Sequence, residues 1–598
     1  MKIGEVYIEN FKSIGKLNFN CSDLNILVGK NNVGKTNLLT ALNLFFNTSD
    51  KILSNDMFCY FTKGQNIVIE LTFDRLTELE KTGRLKKYIC NSLEDGIRVR
   101  KIVKSDGGRL KSYYHGYVEE PDIEWLQSDF KGYGKQEFWA SKGIDFYKYT
   151  SVERGRIIKD LFNEFRENYI KENKDDLKFN IRLSETEFEG IKTVGVDMLP
   201  QFRLIPAVGD VSDIVAGSSR SLLARVVGEI IRAAAQEEGI LKDVQQGLEM
   251  AGGLVNKEGQ TERLPQIEEI EKWLKDEMID WDSPDFKITT SFPEIHTLLT
   301  QNLRLFVDDG APGDVSTKGH GFQRQLIFKM IHLSSALLRG EMKWGVVKDA
   351  FDKSPPIILA FEEPELYLHP QAQLGFYDDI EKLSSRDQIF LCTHSTHLLA
   401  LENFEGVKVL RRDSSSKPTK VSECAKDLKG DLDLRRKLVW AKLFDANVNK
   451  VFFADKIVIV EGDEDIVSIV RTAKDYGECF SHRVTIVNAG GNSNIPNLQR
   501  VLNAFGIPYT VVYDIDPGDE SSKEIQQRIE QLVGEGGFGA ASIAMDPNLP
   551  NVMGMGTDGE VRGKKAAACM RFLDDNEPTK KFLENVKALY DLSSLDSN

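Results

Sequence analysis

The sequence lacks a long apolar run, and none approaches the ~20 residues that a membrane-spanning helix requires. The chain begins MKIGEVY and has no apolar core of the kind that a signal peptide carries. Its seven cysteines are scattered singly, with no CxxC pair. This spacing gives no sign of a disulfide framework and argues against a structural zinc. We therefore expect a cytoplasmic protein with reduced thiols and no membrane partner.

Positive charge is also scarce, with 77 Lys and Arg against 92 Asp and Glu, a net charge of -15 and a pI near 5.3. A globally acidic surface repels a phosphate backbone, so nucleic-acid binding requires local basic patches or bound metal ions. The hydrophobic and charged fractions, 41% and 28%, are ordinary for a soluble globular protein. The length of 598 residues exceeds a single core and predicts about three or four domains.

Apolar periodicity along the chain predicts two α/β modules and a helical insertion. The predicted segments are 1–215 and 286–410 for the two parts of the first module, 216–285 for the insertion, 411–450 for a basic linker, and 451–598 for the second module. Leu222, Val226 and Ile230 repeat on one helix face after the candidate N-cap Ser221. That apolar stripe must be buried, either inside a helical subdomain or in a dimer interface.

A basic stretch lies between the two modules. In residues 408–442, eleven Lys and Arg stand against five Asp and Glu. Two interpretations stay open, a path that leads DNA into the second module and a solvated linker. Arg435, Arg436 and Lys437 are the densest part of the stretch, and under the first interpretation they contact DNA.

A phosphate-binding loop, Gly29-Lys30-Asn31-Asn32-Val33-Gly34-Lys35-Thr36, stands between the buried strand Leu24–Val28 and a predicted helix. This order matches the pattern G-x-x-x-x-G-K-[ST], in which backbone N–H groups wrap the phosphates at a helix N-terminus. Lys35 is expected to neutralise the β- and γ-phosphates of ATP, and Thr36 to bind Mg²⁺. The residues predicted to contact the nucleotide are Gly29, Asn31, Asn32, Gly34, Lys35, Thr36 and Asn37.

Two acidic residues end a second apolar strand, Ile357-Ile358-Leu359-Ala360-Phe361-Glu362-Glu363. Such a pair lets one carboxylate hold the Mg²⁺ shell while the next polarises water. We assign Glu362 to the metal and Glu363 to the attacking water. About thirty residues later another strand ends at His394, which is predicted to reach the γ-phosphate.

Together these motifs resemble the ABC ATPases of the SMC, RecF and Rad50 kind: the opening IENFKSI, the Asn-Asn phosphate loop, Glu-Glu-Pro-Glu, Leu-His-Pro and Thr-His-Ser. The resemblance implies two heads that sandwich ATP, and so at least a homodimer. It also implies a signature loop, which falls at Lys318–Arg324 and places His320, Gly321 and Gln323 against the partner's nucleotide. His320 stands where the family has Ser, and Phe322 replaces a Gly. Both departures predict slow hydrolysis.

The C-terminal module carries a second acidic constellation. Ile457–Val460 reads as a buried strand that ends at Glu461, and Tyr509–Tyr513 as another that ends in Asp514-Ile515-Asp516. Alternation points both Asp side chains to one face. Adjacent parallel strands would bring them to Glu461 at their carboxyl edge. Carboxylates packed so closely need a cation between them, and their hard oxygens suit Mg²⁺ or Mn²⁺.

This arrangement resembles the Toprim fold, and an ABC head followed by Toprim in one chain resembles the OLD (overcoming lysogenisation defect) nucleases. The resemblance implies the metal ligands Glu461, Asp465, Asp514 and Asp516, with Glu461 also a general acid or base. A late lysine that stabilises the transition state falls on Lys565, with Lys564 as the alternative. Val487–Ser493 is similar to the family's glycine turn.

The resemblance implies an ATP-regulated, metal-dependent DNA endonuclease, many relatives of which serve in antiphage defence. Some variants act with a partner, such as a helicase in Gabija-like systems or a retron reverse transcriptase with its msDNA. The alternative function is a RecF-like, ATP-dependent DNA-binding or repair protein without nuclease activity. A primase would need a zinc ribbon, which the cysteine spacing denies, and no strand-passage body of a topoisomerase is recognisable. Because a Toprim cut needs no nucleotide energy, ATP is predicted to regulate cleavage and not to drive it.

Overall fold

The computed structural model describes residues 1–46, 49–61, 66–82, 84–90, 93, 96–106, 109–128, 130–188, 199–207, 224, 227, 239, 243–244, 246–247, 250, 264–277, 288, 299–300, 304–308, 310–339, 356–399, 405–412, 416–424, 449–476, 481, 483–515, 520–536, 539–555 and 565–591. The chain forms two compact units. The first comprises Met1–Leu204, Ile357–Glu362 and Gln388–Asn598, and the second comprises Ile205–Pro356 and Glu363–Asp387. All site residues of the phosphate loop and of the C-terminal module lie in the first unit.

An antiparallel sheet of seven strands opens the first unit, in the order β2-β1-β4-β6-β7-β8 with β5 beside β6. Its strands are β1 (Lys2–Phe11), β2 (Ile14–Asn20), β4 (Ile67–Asp74), β5 (Ile89–Cys90), β6 (Gly96–Asp106), β7 (Arg109–Pro121) and β8 (Phe179–Glu187). One face is apolar and buried, as Val6, Ile8, Ile69 and Leu71 show, and the alternate residues are polar. This alternation is what a sheet with one buried face requires.

A second, mostly parallel sheet has the order β15-β14-β3-β13-β12-β9. Its strands are β3 (Leu24–Val28), β9 (Gln201–Ile205), β12 (Ile357–Glu362), β13 (Gln388–Cys392), β14 (Val407–Arg411) and β15 (Lys420–Glu423). β3, β12 and β13 are buried on both faces, which explains their continuous apolar sequences. Helix α1 (Lys35–Phe46) belongs to a core cluster that contains buried residues of this sheet and of the antiparallel sheet.

A small helical subdomain is inserted between β7 and β8. It contains α3 (Gln136–Ser141) and α4 (Lys159–Glu172) and has an aromatic core of its own, in which Trp139, Phe162 and Phe165 are buried. The sequence pattern of residues 80–200 did not predict it. Its aromatic residues are spaced irregularly, and most of its turns are short, so neither a helical nor a strand period stands out. The short helix α2 (Glu78–Thr82) precedes it.

The C-terminal module is built on a parallel sheet with the order β17-β16-β18-β19. Its strands are β16 (Lys456–Val460), β17 (Val484–Asn488), β18 (Tyr509–Asp514) and β19 (Ala540–Met545). Its helices are α8 (Asp463–Asp475), α9 (Ile495–Ala504), α10 (Glu520–Gly536), α11 (Leu549–Met553), α12 (Lys565–Asp575) and α13 (Lys580–Tyr590). Because all four strands run in one direction, their carboxyl ends share one edge, as predicted for the acidic residues.

The described part of the second unit contains α5 (Pro265–Glu277), α6 (His320–Arg339), α7 (Pro370–Ser384) and the two-stranded pair β10 (Phe306–Val307) and β11 (Gly313–Asp314). Helices α6 and α7 contact each other through Phe328 and Phe376, whose ring centroids are 4.9 Å apart. The His332 Nδ1 atom also lies 2.7 Å from the Asp379 carboxylate. Among the described residues, no helix is long and apolar enough to cross a membrane.

Some of the predicted segments fall largely on residues outside the described part of the chain, and one predicted boundary falls inside a strand. The apolar stripe at Leu222, Val226 and Ile230 lies outside the described residues, and of the insertion the structure gives chiefly α5. The predicted start of the basic linker, between residues 410 and 411, is wrong, because it falls inside β14 and because β14 pairs with β15. Lys408 and Arg411 are therefore residues of the sheet. The stretch 425–448, with Arg435–Lys437, lies outside the described residues, so both interpretations of the basic stretch, a DNA path and a solvated linker, stay open.

A buried lysine lies at the end of the phosphate-loop helix. The Lys101 side chain is 1% exposed, and its Nζ donates to the Leu44 carbonyl at 2.7 Å in the last turn of α1. Burial lowers the pKa of Lys101 to about 7 from its usual 10.5. Between these two values the unfolded chain binds one more proton than the folded chain, so folding stability rises with pH in that window.

We expect the melting temperature of the protein to climb from pH 7 to pH 9, with Lys101 contributing up to about 1.4 kcal/mol per pH unit. Lys101→Met removes this contribution and flattens the slope, which thermal melts at both pH values measure. Lys111→Met, at an exposed lysine on β7, is the matched control and should leave the slope unchanged. Equal slopes for the wild type and Lys101→Met would contradict the pKa assignment.

Candidate nucleotide and metal sites

The phosphate loop has the backbone that its glycines predict. Gly29 and Gly34 adopt positive φ values of 141° and 103°, and Asn32 one of 65°. A Cβ on Gly29 would lie 2.3 Å from the Leu410 carbonyl oxygen, so only glycine fits there. The Lys35 side chain is buried, and its Nζ donates to the Gly29 and Lys30 carbonyls at 2.8 and 2.7 Å. The loop therefore curls around the amine that is predicted to meet the phosphates.

A hydroxyl network that the sequence did not reveal supports this loop from beneath. Ser13 Oγ and Thr419 Oγ1 lie 2.8 Å apart, and Thr419 Oγ1 donates to the Val33 carbonyl at 2.8 Å. A Cβ on Gly34 would lie 2.6 Å from both hydroxyl oxygens. The Asn37 amide donates to Ser13 Oγ at 2.8 Å. Asn37 thus holds the loop in place, and its predicted contact with the nucleotide stays a prediction.

The predicted Mg²⁺ and switch residues stand at the same sheet edge as the loop. Glu362 is the last residue of β12, and His394 follows β13, which lies between β12 and the loop strand β3. The His394 ring is half-buried, and burial together with the Lys35 charge lowers its pKa to about 4. The ring is therefore neutral at pH 7. Glu363 follows Glu362 in a left-handed conformation, with φ 45° and ψ 55°, which is uncommon for a residue other than glycine.

The signature segment is described within the second unit alone. His320 is the first residue of α6, and Gly321 lies in its first turn. Gln323 is 1% exposed, and its Nε2 lies 3.2 Å from the Val315 carbonyl and 3.0 Å from the Lys318 carbonyl. This amide group therefore fastens the loop that leads into α6. Contact of His320, Gly321 and Gln323 with a partner's nucleotide stays a prediction.

In the C-terminal module the two leading carboxylates are adjacent. Glu461 follows β16 and Asp514 ends β18, and these two strands are parallel neighbours. The Asp514 backbone N–H donates to Glu461 Oε1 at 2.9 Å. The Leu549 N–H donates to Asp514 Oδ1 at 2.8 Å. Both side chains are half-buried at the carboxyl edge, so the position predicted from parallel pairing is the one observed.

The glycine turn after β17 faces this edge. Gly490 and Gly491 have φ values of 71° and 122°, and the Gly491 N–H donates to the Glu461 carbonyl at 2.8 Å. The Asn488 amide donates to Asp463 Oδ1 at 2.7 Å, and Asn488 Oδ1 accepts from the Gly490 N–H. Asn488 therefore orders the turn. Asn488 lies in the segment Val487–Ser493 that is similar to the family's glycine turn, but nothing in the sequence indicated that its side chain orders the turn.

Two further acidic residues lie at this edge. Asp465 is 5% exposed, and its Oδ2 accepts from the Gly462 N–H at 2.9 Å, which caps α8. Asp546 directly follows β19, beside Asp514, and it is exposed. Sequence reasoning missed Asp546 because it lies outside the Asp-x-Asp motif. Its place at the end of a parallel strand is the signal that could have found it.

Metal binding at this edge remains a prediction. In the part of the chain that the structure describes, no three His, Cys, Asp or Glu side chains form a group that could hold a metal ion. Asp516 lies outside that part, and so does the Lys565 side chain, although Lys565 begins α12. The donors present are carboxylate oxygens, which suit Mg²⁺ or Mn²⁺ in kind. Glu461 and Asp514 therefore supply donor atoms of the kind that the predicted ion prefers.

Comparison with family models gives two matches. Residues 1–399 match the AAA ATPase domain family, and residues 452–516 match the TOPRIM domain of overcoming lysogenization defect protein-like proteins. The predicted order, an ATPase domain followed by Toprim, is thereby confirmed. A solved Smc head bound to the C-winged helix domain of ScpA aligns with 71% of this chain and 98% of its own, at 13% identity. Its TM-score of 0.35 is too low to equate the two folds.

Three curated relatives carry nuclease names. An OLD nuclease of Thermus scotoductus is 28% identical over 38% of this chain and 46% of its own length. The Old nuclease of Escherichia phage P2 is 22% identical over 55% of each chain. The endonuclease GajA of Bacillus cereus is 22% identical over 89% of this chain and 78% of its own length. The chain thus spans about half the length of the first two relatives.

Proposed function

Because the chain belongs to the AAA ATPase domain family and carries an OLD-like TOPRIM domain, we propose that it is an ATP-regulated, divalent-metal-dependent DNA endonuclease. The observation that carries the proposal is the meeting of Glu461 and Asp514 at the carboxyl edge of adjacent parallel strands. A RecF-like DNA-binding protein has no need of paired carboxylates at that edge. The nuclease names of three relatives support the same conclusion.

Glu461 and Asp514, with Asp516 and Asp465, are the residues that would hold Mg²⁺ or Mn²⁺. When bound, such ions hold the scissile phosphate, lower the pKa of a water molecule and stabilise the leaving oxygen. Glu461 is fixed by the Asp514 N–H and by its own carbonyl's bond to Gly491. The chain's contribution is this rigid placement, since Glu461 directly follows the buried strand β16 and Asp514 ends the buried strand β18. Lys565 is proposed to meet the developing phosphate charge.

The ATPase domain regulates this site in our proposal. Lys35 and Thr36 bind the phosphates and Mg²⁺, Glu362 supports the metal, and Glu363 orients water for hydrolysis. His394, neutral at pH 7 because of burial and the Lys35 charge, donates a single hydrogen bond to the γ-phosphate from its one ring N–H. A pair of heads shares the nucleotides, so the acting form is a homodimer or larger. Service in antiphage defence, with a helicase or retron partner, belongs to the same proposal.

Supercoiled plasmid incubated with the protein and Mg²⁺ or Mn²⁺, with and without ATP, tests the proposal. We expect nicked or linear product that disappears with EDTA, and a yield that changes when ATP is added. Absence of cleavage under every metal and nucleotide condition, together with ATP-dependent DNA binding, would leave the RecF-like function in its place.

A further inference from the structure

The phosphate loop touches the C-terminal module directly. Lys30, the second residue of the loop, forms an ion pair with Asp455. The Asp455 carboxylate also accepts from Arg483 Nε at 2.8 Å, and its side chain is only 18% exposed. One carboxylate therefore joins a cation of the nucleotide loop to a cation of the C-terminal module. No nucleotide-binding role was assigned to Lys30, and its side chain is engaged in this contact.

Asp455 and Arg483 lie at the edge of the C-terminal sheet where the strands begin. This edge is opposite the carboxyl edge, where Glu461 and Asp514 lie. Asp455 directly precedes β16, Arg483 directly precedes β17, and the Lys456 N–H donates to the Arg483 carbonyl. β16 leads from Asp455 to Glu461, a span of about 20 Å at ~3.3 Å per residue. Four of the five β16 residues are buried. A displacement of Asp455 is therefore carried along a stiff strand to the predicted metal ligand.

A second connection runs in parallel through β14. Its last residue, Arg411, donates to the Gly506 carbonyl at 3.1 Å, in the turn three residues before β18. The next residue, Arg412, donates to the Asn32 carbonyl of the phosphate loop at 3.4 Å. Two consecutive arginines thus contact the phosphate loop and the turn that leads into β18, the strand that ends at Asp514. Contacts with the phosphate loop or with β14 therefore lie at the amino ends of β16 and β18, the strands that lead to Glu461 and Asp514.

Phosphate binding can alter the contact between Lys30 of the phosphate loop and Asp455. Lys35 Nζ donates to the carbonyl of Lys30 itself. A phosphate in the loop competes for the N–H groups of Lys35, because a charge-assisted hydrogen bond to an anion is stronger than one to a carbonyl. Loss of the Lys35 bond frees the Lys30 backbone, and the Lys30 side chain carries that change to Asp455.

We propose that Asp455 is a positioning residue that couples nucleotide occupancy of the phosphate loop to the geometry of the nuclease edge. The inference rests on the proposed function and names the regulation of that site. By linkage, such a contact changes the activity ratio with and without ATP and leaves the chemistry itself in place.

The test compares Asp455→Asn, Lys30→Gln and the double variant with the wild type. Plasmid nicking is measured with and without ATP, and the ratio of the two rates is the readout. We expect the factor by which ATP changes nicking to fall about fivefold or more in either single variant. Nicking by Asp455→Asn without nucleotide should stay within about twofold, since Asp455 belongs neither to the cleavage site nor to the phosphate loop. The double variant should match the singles, because contacting residues that act as a pair are non-additive.

Asp106→Asn is the matched control, since Asp106 pairs with Lys111 at 2.7 Å at an exposed hairpin tip and should leave the ATP effect intact. A second readout does not require cleavage: hydrogen exchange of β16 and β17 amides with and without a non-hydrolysable ATP analogue. We expect a nucleotide-dependent change in the wild type that is absent in Asp455→Asn. Thermal melts identify any variant that fails to fold, and Arg483→Gln then tests the same carboxylate from its other side.

The outcomes separate the two claims. No cleavage by the wild type overturns the proposed function, while the exchange measurement still decides the coupling. An ATP effect that persists in Asp455→Asn overturns the coupling and leaves the nuclease proposal standing. The coupling is also overturned if hydrogen exchange of the β16 and β17 amides in the wild type does not change when the nucleotide is added.

Discussion

Replacing Asp514 with Asn is expected to lower DNA cleavage by about 10³-fold while leaving ATP hydrolysis within about twofold of the wild type. A divalent ion supplies several kcal/mol of charge stabilisation to phosphate hydrolysis, and each 1.36 kcal/mol is worth about tenfold in rate. Asn removes the negative charge on which metal binding depends. It keeps a side-chain oxygen that can accept from the Leu549 N–H, so the fold at the end of β18 is preserved.

Initial rates of plasmid nicking in Mn²⁺ and of phosphate release from ATP measure the two activities on the same preparation. Asp475→Asn is the control: this acidic residue ends α8 in the same module, is exposed, and pairs with Arg471 away from the sheet edge. It should cleave like the wild type. If Asp514→Asn lost both activities, separate sites for cleavage and for hydrolysis would be the wrong description of the chain.

The parts of the site that follow local rules were predictable from the sequence. A buried strand, a glycine-containing loop and a helix fix the position of Lys35 through neighbouring residues alone. Parallel pairing is a longer-range rule, but two short apolar strands that both end in acidic residues were enough to bring Glu461 and Asp514 together. In both cases the sequence pattern alone predicts where the side chains lie.

Contacts between distant segments were not predictable. Ser13 and Thr419 are separated by 406 positions yet share a hydrogen bond beneath the loop. Neither has a spacing that marks it, because serine and threonine also occur throughout exposed turns. Arg411 and Arg412 illustrate the converse, since a count of basic residues placed them in a stretch predicted to be either a DNA path or a solvated linker. Their contacts with Gly506 and Asn32 instead place them in the junction between the two modules.

Replacing Glu363 with Gln is expected to slow ATP hydrolysis by about 10² to 10³-fold without loss of ATP binding, since a general base typically contributes 10² to 10⁴-fold. Gln keeps the size of the side chain but cannot polarise water for attack. The left-handed backbone at Glu363 costs on the order of 1–3 kcal/mol for a residue other than glycine. Such strain persists where the surrounding structure fixes the residue, which agrees with a role that depends on orientation. Phosphate release and equilibrium binding of ATP measure the two effects.

Glu362→Gln separates the two neighbouring carboxylates. Glu362 ends β12, and its predicted role is to support Mg²⁺, so its substitution should weaken binding of Mg²⁺ and ATP together, whereas Glu363→Gln retains them. Glu363→Gln is expected to hold unhydrolysed ATP, so its cleavage rate is that of the ATP-bound state. Comparison of this rate with the rate without ATP shows whether ATP activates or restrains the nuclease. Weak ATP binding by Glu363→Gln, with strong binding by Glu362→Gln, would require the two assignments to be exchanged.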